Sequence, residues 1–146
     1  AVRLYIVRHG ETDWNKKKLV QGRKDIPLNE YGRHLARETS YGMRQYQIDL
    51  AYTSPLRRAK ETAEILLEGR NIPLYEDQRI QEISFGSYEG MSCVDKTKEE
   101  NLAHFWKNEV PPNSSVTIAE LEGSGFKIIQ EGIIFYKEEV KHWKAV

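Results

Sequence analysis

Arg8-His9-Gly10 follows directly on the apolar run Val2-Arg3-Leu4-Tyr5-Ile6-Val7. An imidazole can attack a phosphoryl group and hold it as a phosphoramidate, which splits one difficult displacement into two easier ones. Such a nucleophile needs cations around the phosphoryl oxygens, because phosphoryl transfer is catalysed largely by positioning and charge stabilisation. Arg8 is adjacent, and its fork of donors suits phosphate better than a lysine's point charge. Gly10 lets the backbone pass close to a ligand. Taken alone, Arg-His-Gly after a strand more often marks a buried strand end than an active site. Arg58 falls in the first turns of an expected helix, where anions are favoured; by itself it would be a solvated surface arginine, the reading given to Arg57, Lys60 and Arg70. Glu82 alone would be a surface carboxylate. His34, His104 and His142 stand in polar surroundings and read as surface residues. The scattered histidines and the single cysteine, Cys93, offer no metal-ligand spacing.

These residues need elements to hold them. The run 2–7, rich in branched and aromatic residues, reads as a strand buried on both faces, the pattern of a central strand in a covered sheet. His9 then lies just past its carboxyl end, where sites form in open α/β sheets. Residues 10–27 show no period and read as a long functional loop. Asn29 can cap a helix to about residue 45, weakened by Gly32 and Gly42. Residues 48–53 form a second strand, and Ser54-Pro55 starts a helix that Gly69 ends. Residues 73–76 read as a short strand and 81–90 as irregular. Residues 115–121 alternate as a strand, and Glu122-Gly123-Ser124-Gly125 turns into a partner over 126–130. Residues 132–146 carry no assignable pattern. Strands alternating with helices predict an α/β layer fold.

The length of 146 residues fits one domain. Twenty-two basic and 22 acidic residues cancel, so no global field recruits nucleic acid or an anionic membrane, and an anionic substrate must be drawn in by a local basic cluster. One cysteine excludes an internal disulfide and suits a reducing cytosol. No apolar run approaches the roughly 20 residues of a membrane helix, and residues 1–20 lack a signal-peptide core. A cytoplasmic protein with neither nucleic acid nor membrane as partner is expected. The run Ile133-Ile134-Phe135-Tyr136 would allow pairing with a second copy into a homo-oligomer.

Leu4-Tyr5-Ile6-Val7-Arg8-His9-Gly10-Glu11-Thr12-Asp13-Trp14-Asn15 resembles the signature of the histidine phosphatase, or phosphoglycerate-mutase-like, superfamily. Three further blocks match in order. Gln21-Gly22, with Asp25-Ile26-Pro27-Leu28 and Gly32, resembles the family's loop and first helix. Ser54-Pro55-Leu56-Arg57-Arg58-Ala59 through Thr62-Ala63 resembles its second arginine motif, and Glu82-Ile83-Ser84-Phe85-Gly86-Ser87-Tyr88-Glu89-Gly90 its acidic motif in the phosphatase branch. The resemblance implies a three-layer α/β/α fold with a mostly parallel central sheet. It implies His9 as the phosphorylated nucleophile, Arg8 and Arg58 as phosphoryl clamps and Asn15 as a further phosphate contact. Gln21 and Gly22 would lie at the pocket rim, and Glu82 would donate a proton to the leaving oxygen and later activate water. No cofactor or metal is implied, since arginines neutralise the charge.

The chain departs from the family at one point. The family's second core histidine, in a Ser-His-Gly or Thr-His-Gly block, has no counterpart. Residues 102–106 and Pro111-Pro112-Asn113-Ser114-Ser115-Val116-Thr117-Ile118 resemble the segment that normally follows it. The expectation is a single domain over residues 1–146 lacking a central strand–helix–strand segment of roughly 30 residues or more at a seam between residues 92 and 99. Either the segment is deleted, or two pieces stand joined across residues the sequence does not show. The cost of an empty strand position in so small a core favours the second reading. The expected function is a phosphatase acting on phosphomonoesters of small metabolites. The alternatives are a phosphoglycerate-mutase-type phosphoryl transferase and a non-catalytic phosphate-binding module.

Overall fold

Val2–Val7 forms strand β1 in the computed structural model, which describes residues 2–92 and 111–137. After it come helix α1 (Asp13–Lys16), helix α2 (Glu30–Met43), strand β2 (Ala51–Thr53), helix α3 (Arg57–Leu67), strand β3 (Leu74–Glu76), strand β4 (Val116–Glu122) and strand β5 (Gly125–Ile133). The seam between residues 92 and 99, Cys93, His104 and His142 lie outside the described residues.

Strands and helices alternate through the first half, as an α/β layer fold requires. Among the described residues, parallel pairing is confined to β2 and β3, in register from Ala51↔Leu74 to Thr53↔Glu76. The other sheet has the order β1-β4-β5 and is antiparallel throughout. A tight turn at Gly123 folds β5 back on β4, which is a local cause, whereas β4 runs against β1 through a long-range pairing from Val2↔Leu121 to Val7↔Val116.

One face of β1 is covered. Tyr5 and Val7 pack against a core of Met43 from α2, Leu66 from α3, and Val116 and Ile118 from β4. The other face carries Val2 and Ile6, which are 56% and 51% exposed. The expectation of burial on both faces is thus corrected: the helices α2 and α3 share a core with one face, and no cover for the second lies among the described residues.

Both glycines counted against α2 are packing positions. A Cβ on Gly32 would lie 2.1 Å from the carbonyl oxygen of Glu11, so only a bare backbone lets α2 meet the loop after β1. A Cβ on Gly42 would strike the Phe135 ring at 2.2 Å. The apolar run near residue 135 therefore turns inward: Ile133 and Phe135 pack on the core and Tyr136 is buried, while Ile134 stays exposed. Asn29 caps α2 as expected, its Oδ1 accepting from Gly32 N at 2.7 Å. Ser54 does not cap α3; it accepts from Leu56 N within a preceding turn. The first helical N–H, on Arg57, donates instead to Asp25 Oδ1 at 2.7 Å. Arg70 is not a free surface arginine either. It donates to the carbonyls of Met43 and Tyr46, closing the end of α2.

Candidate active site

His9 leaves the end of β1 with its backbone tied on both sides. Arg8 N donates to Ser115 O at 3.1 Å, Ser114 N donates to His9 O at 3.1 Å, and Gly10 N donates to Thr62 Oγ1 of α3 at 3.0 Å. The His9 ring is held through Nδ1, 2.7 Å from Gly10 O. A carbonyl can only accept, so Nδ1 carries the proton and Nε2 keeps its lone pair. Burial, reinforced by the charges of Arg8 and Arg58, pushes the ring pKa down to about 3. The imidazole is therefore neutral, with a free lone pair, across the physiological range.

Arg58 is 2% exposed and sits in the first turn of α3. Its Nη1 donates to Lys24 O and its Nη2 to Gly22 O, each at 2.6 Å, so the same guanidinium that bears on His9 also anchors the 21–24 loop. Burial lowers its pKa, and Glu82, Asp25 and Glu89 oppose that effect. Arg8, half-buried, donates to Pro111 O at 2.5 Å. Burial is the main cause that lowers its pKa to about 10, with Arg58 adding and Glu82 opposing; at neutral pH it stays a cation. Arg57, one residue from Arg58, points outward and pairs with Asp25. Lys60 likewise pairs on the surface with Glu76 at 2.5 Å. His34 rests against Tyr31 on α2, ring centroids 6.3 Å apart.

Asn15 is the third residue of α1. Its Oδ1 accepts from Thr12 N at 3.1 Å while Asn15 N donates to Thr12 Oγ1, a reciprocal cap. Thr12 Oγ1 also reaches Gln21 Oε1 at 2.5 Å. Gly22 has φ +53, and a Cβ there would meet Glu89 Oε1 at 2.2 Å. Glu89 accepts from Arg23 N and Phe85 N, and Arg23 Nε donates to Glu82 O. The acidic segment is thus laid along the loop and further tied by Val20 N to Met91 O. Glu82 itself is exposed, its Oε1 accepting from Ile83 N at 2.9 Å, and its charge is felt by both Arg8 and Arg58.

The structure therefore brings Arg8, His9, Asn15, Gln21, Gly22, Arg58 and Glu82 into one hydrogen-bonded and electrostatic neighbourhood at the end of β1. It adds residues the sequence did not single out for chemistry: Asn113, Ser114, Tyr136, Thr62 and Glu89. Thr62 and Glu89 stand within the motif blocks and Tyr136 within the apolar run near residue 135, while the signal for Asn113 and Ser114 is three small polar residues directly before a strand, Asn113-Ser114-Ser115, which are all buried. Among the described residues, no group of three or more His, Cys, Asp or Glu side chains could hold a metal ion. No helix among them is long and apolar enough to cross a membrane.

Residues 4–130 match the family model of the histidine phosphatase superfamily, branch 1. The chain is 46% identical over 93 residues to a Bacillus subtilis protein described as the uncharacterized phosphatase PhoE, a stretch that covers 64% of this chain and 48% of that one. It is 33% identical over 145 residues to the 2,3-bisphosphoglycerate-dependent phosphoglycerate mutase of Parvibaculum lavamentivorans, covering 93% of this chain and 65% of the mutase. The chain thus spans from about half to two thirds of the length of these curated relatives. Among solved structures it resembles Bacillus stearothermophilus YhfR, with a TM-score of 0.80, 27% identity, and coverage of 92% of this chain and 98% of that one.

Proposed function

The chain belongs to the histidine phosphatase superfamily, and from that premise we propose that it hydrolyses phosphomonoesters of small metabolites through a phosphohistidine at His9, without a metal. The observation that carries this reading is the His9 ring, locked by Gly10 O in the tautomer whose Nε2 lone pair is free, and held beside two arginines. Nε2 attacks phosphorus and a P–N bond forms as the bond to the leaving oxygen breaks. Arg8 and Arg58 neutralise the phosphoryl oxygens. Glu82 gives a proton to the leaving oxygen, then takes one from a water whose oxygen attacks phosphorus. The P–N bond breaks, and inorganic phosphate, neutral His9 and protonated Glu82 result.

The zero net charge supports a small phosphorylated substrate, with neither nucleic acid nor membrane as partner, and the single cysteine suits a reducing cytosol. The test is release of inorganic phosphate from p-nitrophenyl phosphate in the presence of EDTA. The expected outcome is turnover in the unsubstituted chain, an acid-labile phosphoryl group trapped on it by quenching, and a loss of at least about a thousand-fold in His9→Ala. Undiminished turnover in that variant would refute the mechanism. A mutase reading has the support of the Parvibaculum relative; isomerisation of a phosphoglycerate, in place of phosphate release, would decide for it.

A further inference from the structure

We infer that Asn113 is a positioning residue, which fixes the carboxamide of Asn15 so that its N–H donors face the phosphoryl group; the inference rests on the phosphatase reading above. Asn113 is buried, and its Nδ2 lies 3.3 Å from Asn15 Oδ1 and 3.2 Å from His9 O. It is thus the one described side chain that touches both the nucleophile's backbone and the Asn15 amide. Asn15 Oδ1 already accepts from Thr12 N. A second N–H on the same atom makes the flipped amide, with its own donors against two donors, strongly unfavourable. The Nδ2 group of Asn15 is thereby turned to the opposite side, and no partner for it is found among the described residues.

The backbone around Asn113 is built to aim this side chain. Ser115 N donates to Pro112 O at 3.1 Å, closing a tight turn with Asn113 and Ser114 at its centre. Ser114 occupies that turn with φ +56, a left-handed conformation that costs a non-glycine residue free energy and persists only where its surroundings impose it. Its Oγ, on a residue with 0% exposure, has no hydrogen-bond partner among the described residues. Ser114 N holds His9 O, Ser114 O accepts from Thr39 Oγ1, and Tyr136 Oη donates to Asn113 O at 2.8 Å. The turn therefore carries strain and an unsatisfied hydroxyl, while its four carbonyls and the N–H groups of Ser114 and Ser115 are all engaged. Its product is one amide presented to His9 and Asn15.

A double-mutant cycle tests this, read as the affinity for inorganic phosphate and as kcat and KM on p-nitrophenyl phosphate. Asn113→Ala is expected to weaken phosphate binding and raise KM about five-fold, with a smaller change in kcat. In an Asn15→Ala background the same substitution is expected to change nothing, because its effect passes through an amide already removed. Equal losses in both backgrounds would mean that Asn113 acts only on the fold, and would overturn the inference. Asn113→Ser, whose hydroxyl falls short of Asn15, supplies the same cycle if the alanine variant does not melt cooperatively. An unsubstituted chain that binds phosphate without turning over ester refutes the phosphatase reading alone, and the cycle on phosphate affinity still decides the role of Asn113. A chain that does neither overturns both.

Discussion

The carboxyl end of β1 and the face of β1 that carries Val2 and Ile6 lie within a few residues of one another and are finished to opposite degrees. At the end, polar groups that would be costly alone are engaged, with the Ser114 hydroxyl as an exception: Arg58 on two carbonyls, Thr62 between Gly10 and Arg58, Asn113 between His9 and Asn15. On the face, apolar side chains stand open to solvent among the described residues. The difference teaches where the folding information sits. The polar end is stabilised by long-range hydrogen bonds that α3 and the 111–115 turn deliver to it. The apolar pattern of β1 is written for two covered faces, of which α2, α3 and β4 cover one.

Arg58 gives the largest expected effect, because it belongs to the finished end twice over. Arg58→Ala should lower kcat/KM about a hundred-fold by removing a charge from the phosphoryl site, and should lower the melting temperature by leaving the carbonyls of Gly22 and Lys24 unpaired. Arg57→Ala, at the exposed neighbouring position, should change kcat/KM less than two-fold. Equal losses at both positions would erase the contrast. The next effect compares the two faces directly. Val116→Ala, at 0% exposure in the core, should cost about 2 kcal/mol in urea unfolding. Ile6→Ala, on the open face, should cost less than about 1 kcal/mol. A cost at Ile6 as large as that at Val116 would mean that the face is covered in solution.

The elements themselves were legible where the signal is local. The β1 run, the Asn29 cap and the Gly123 turn each depend on residues within a few positions, and each forms as the sequence predicts. What stayed hidden comes from contacts far apart in the chain. Asp25 rather than Ser54 takes the first N–H of α3, across 32 positions; Arg70 caps α2 from 27 and 24 positions away; Asn113 reaches His9 across 104. Gly32 and Gly42 read as helix weaknesses because propensity is local, whereas their use is close approach to Glu11 and Phe135. The strand directions were hidden for the same reason: a hairpin fixes β4 against β5, but nothing in β1 itself says whether its neighbour will run with it or against it. Of the site, the motif residues were legible through resemblance, and the turn that supports them was not.

The smallest effect separates the two regions by pH. The His9 pKa is lowered to about 3 in the fold, against an ordinary value near 6.5 in the unfolded chain. Between these values the unfolded state binds a proton that the folded state does not, so stability must fall as pH drops through this window. The sign is that of a base held neutral by burial and by two cations. From pH 6.5 to 5.5 the contribution is about 1 kcal/mol. His9→Gln removes the titrating ring, so its urea midpoint should fall less over that interval than that of the unsubstituted chain. Ile6→Ala, which touches no ionisable group in the network at the end of β1, should track the unsubstituted chain at every pH. Parallel pH profiles for His9→Gln and the unsubstituted chain would mean that the ring titrates normally, and that the end of β1 is no better shielded from solvent than its open face.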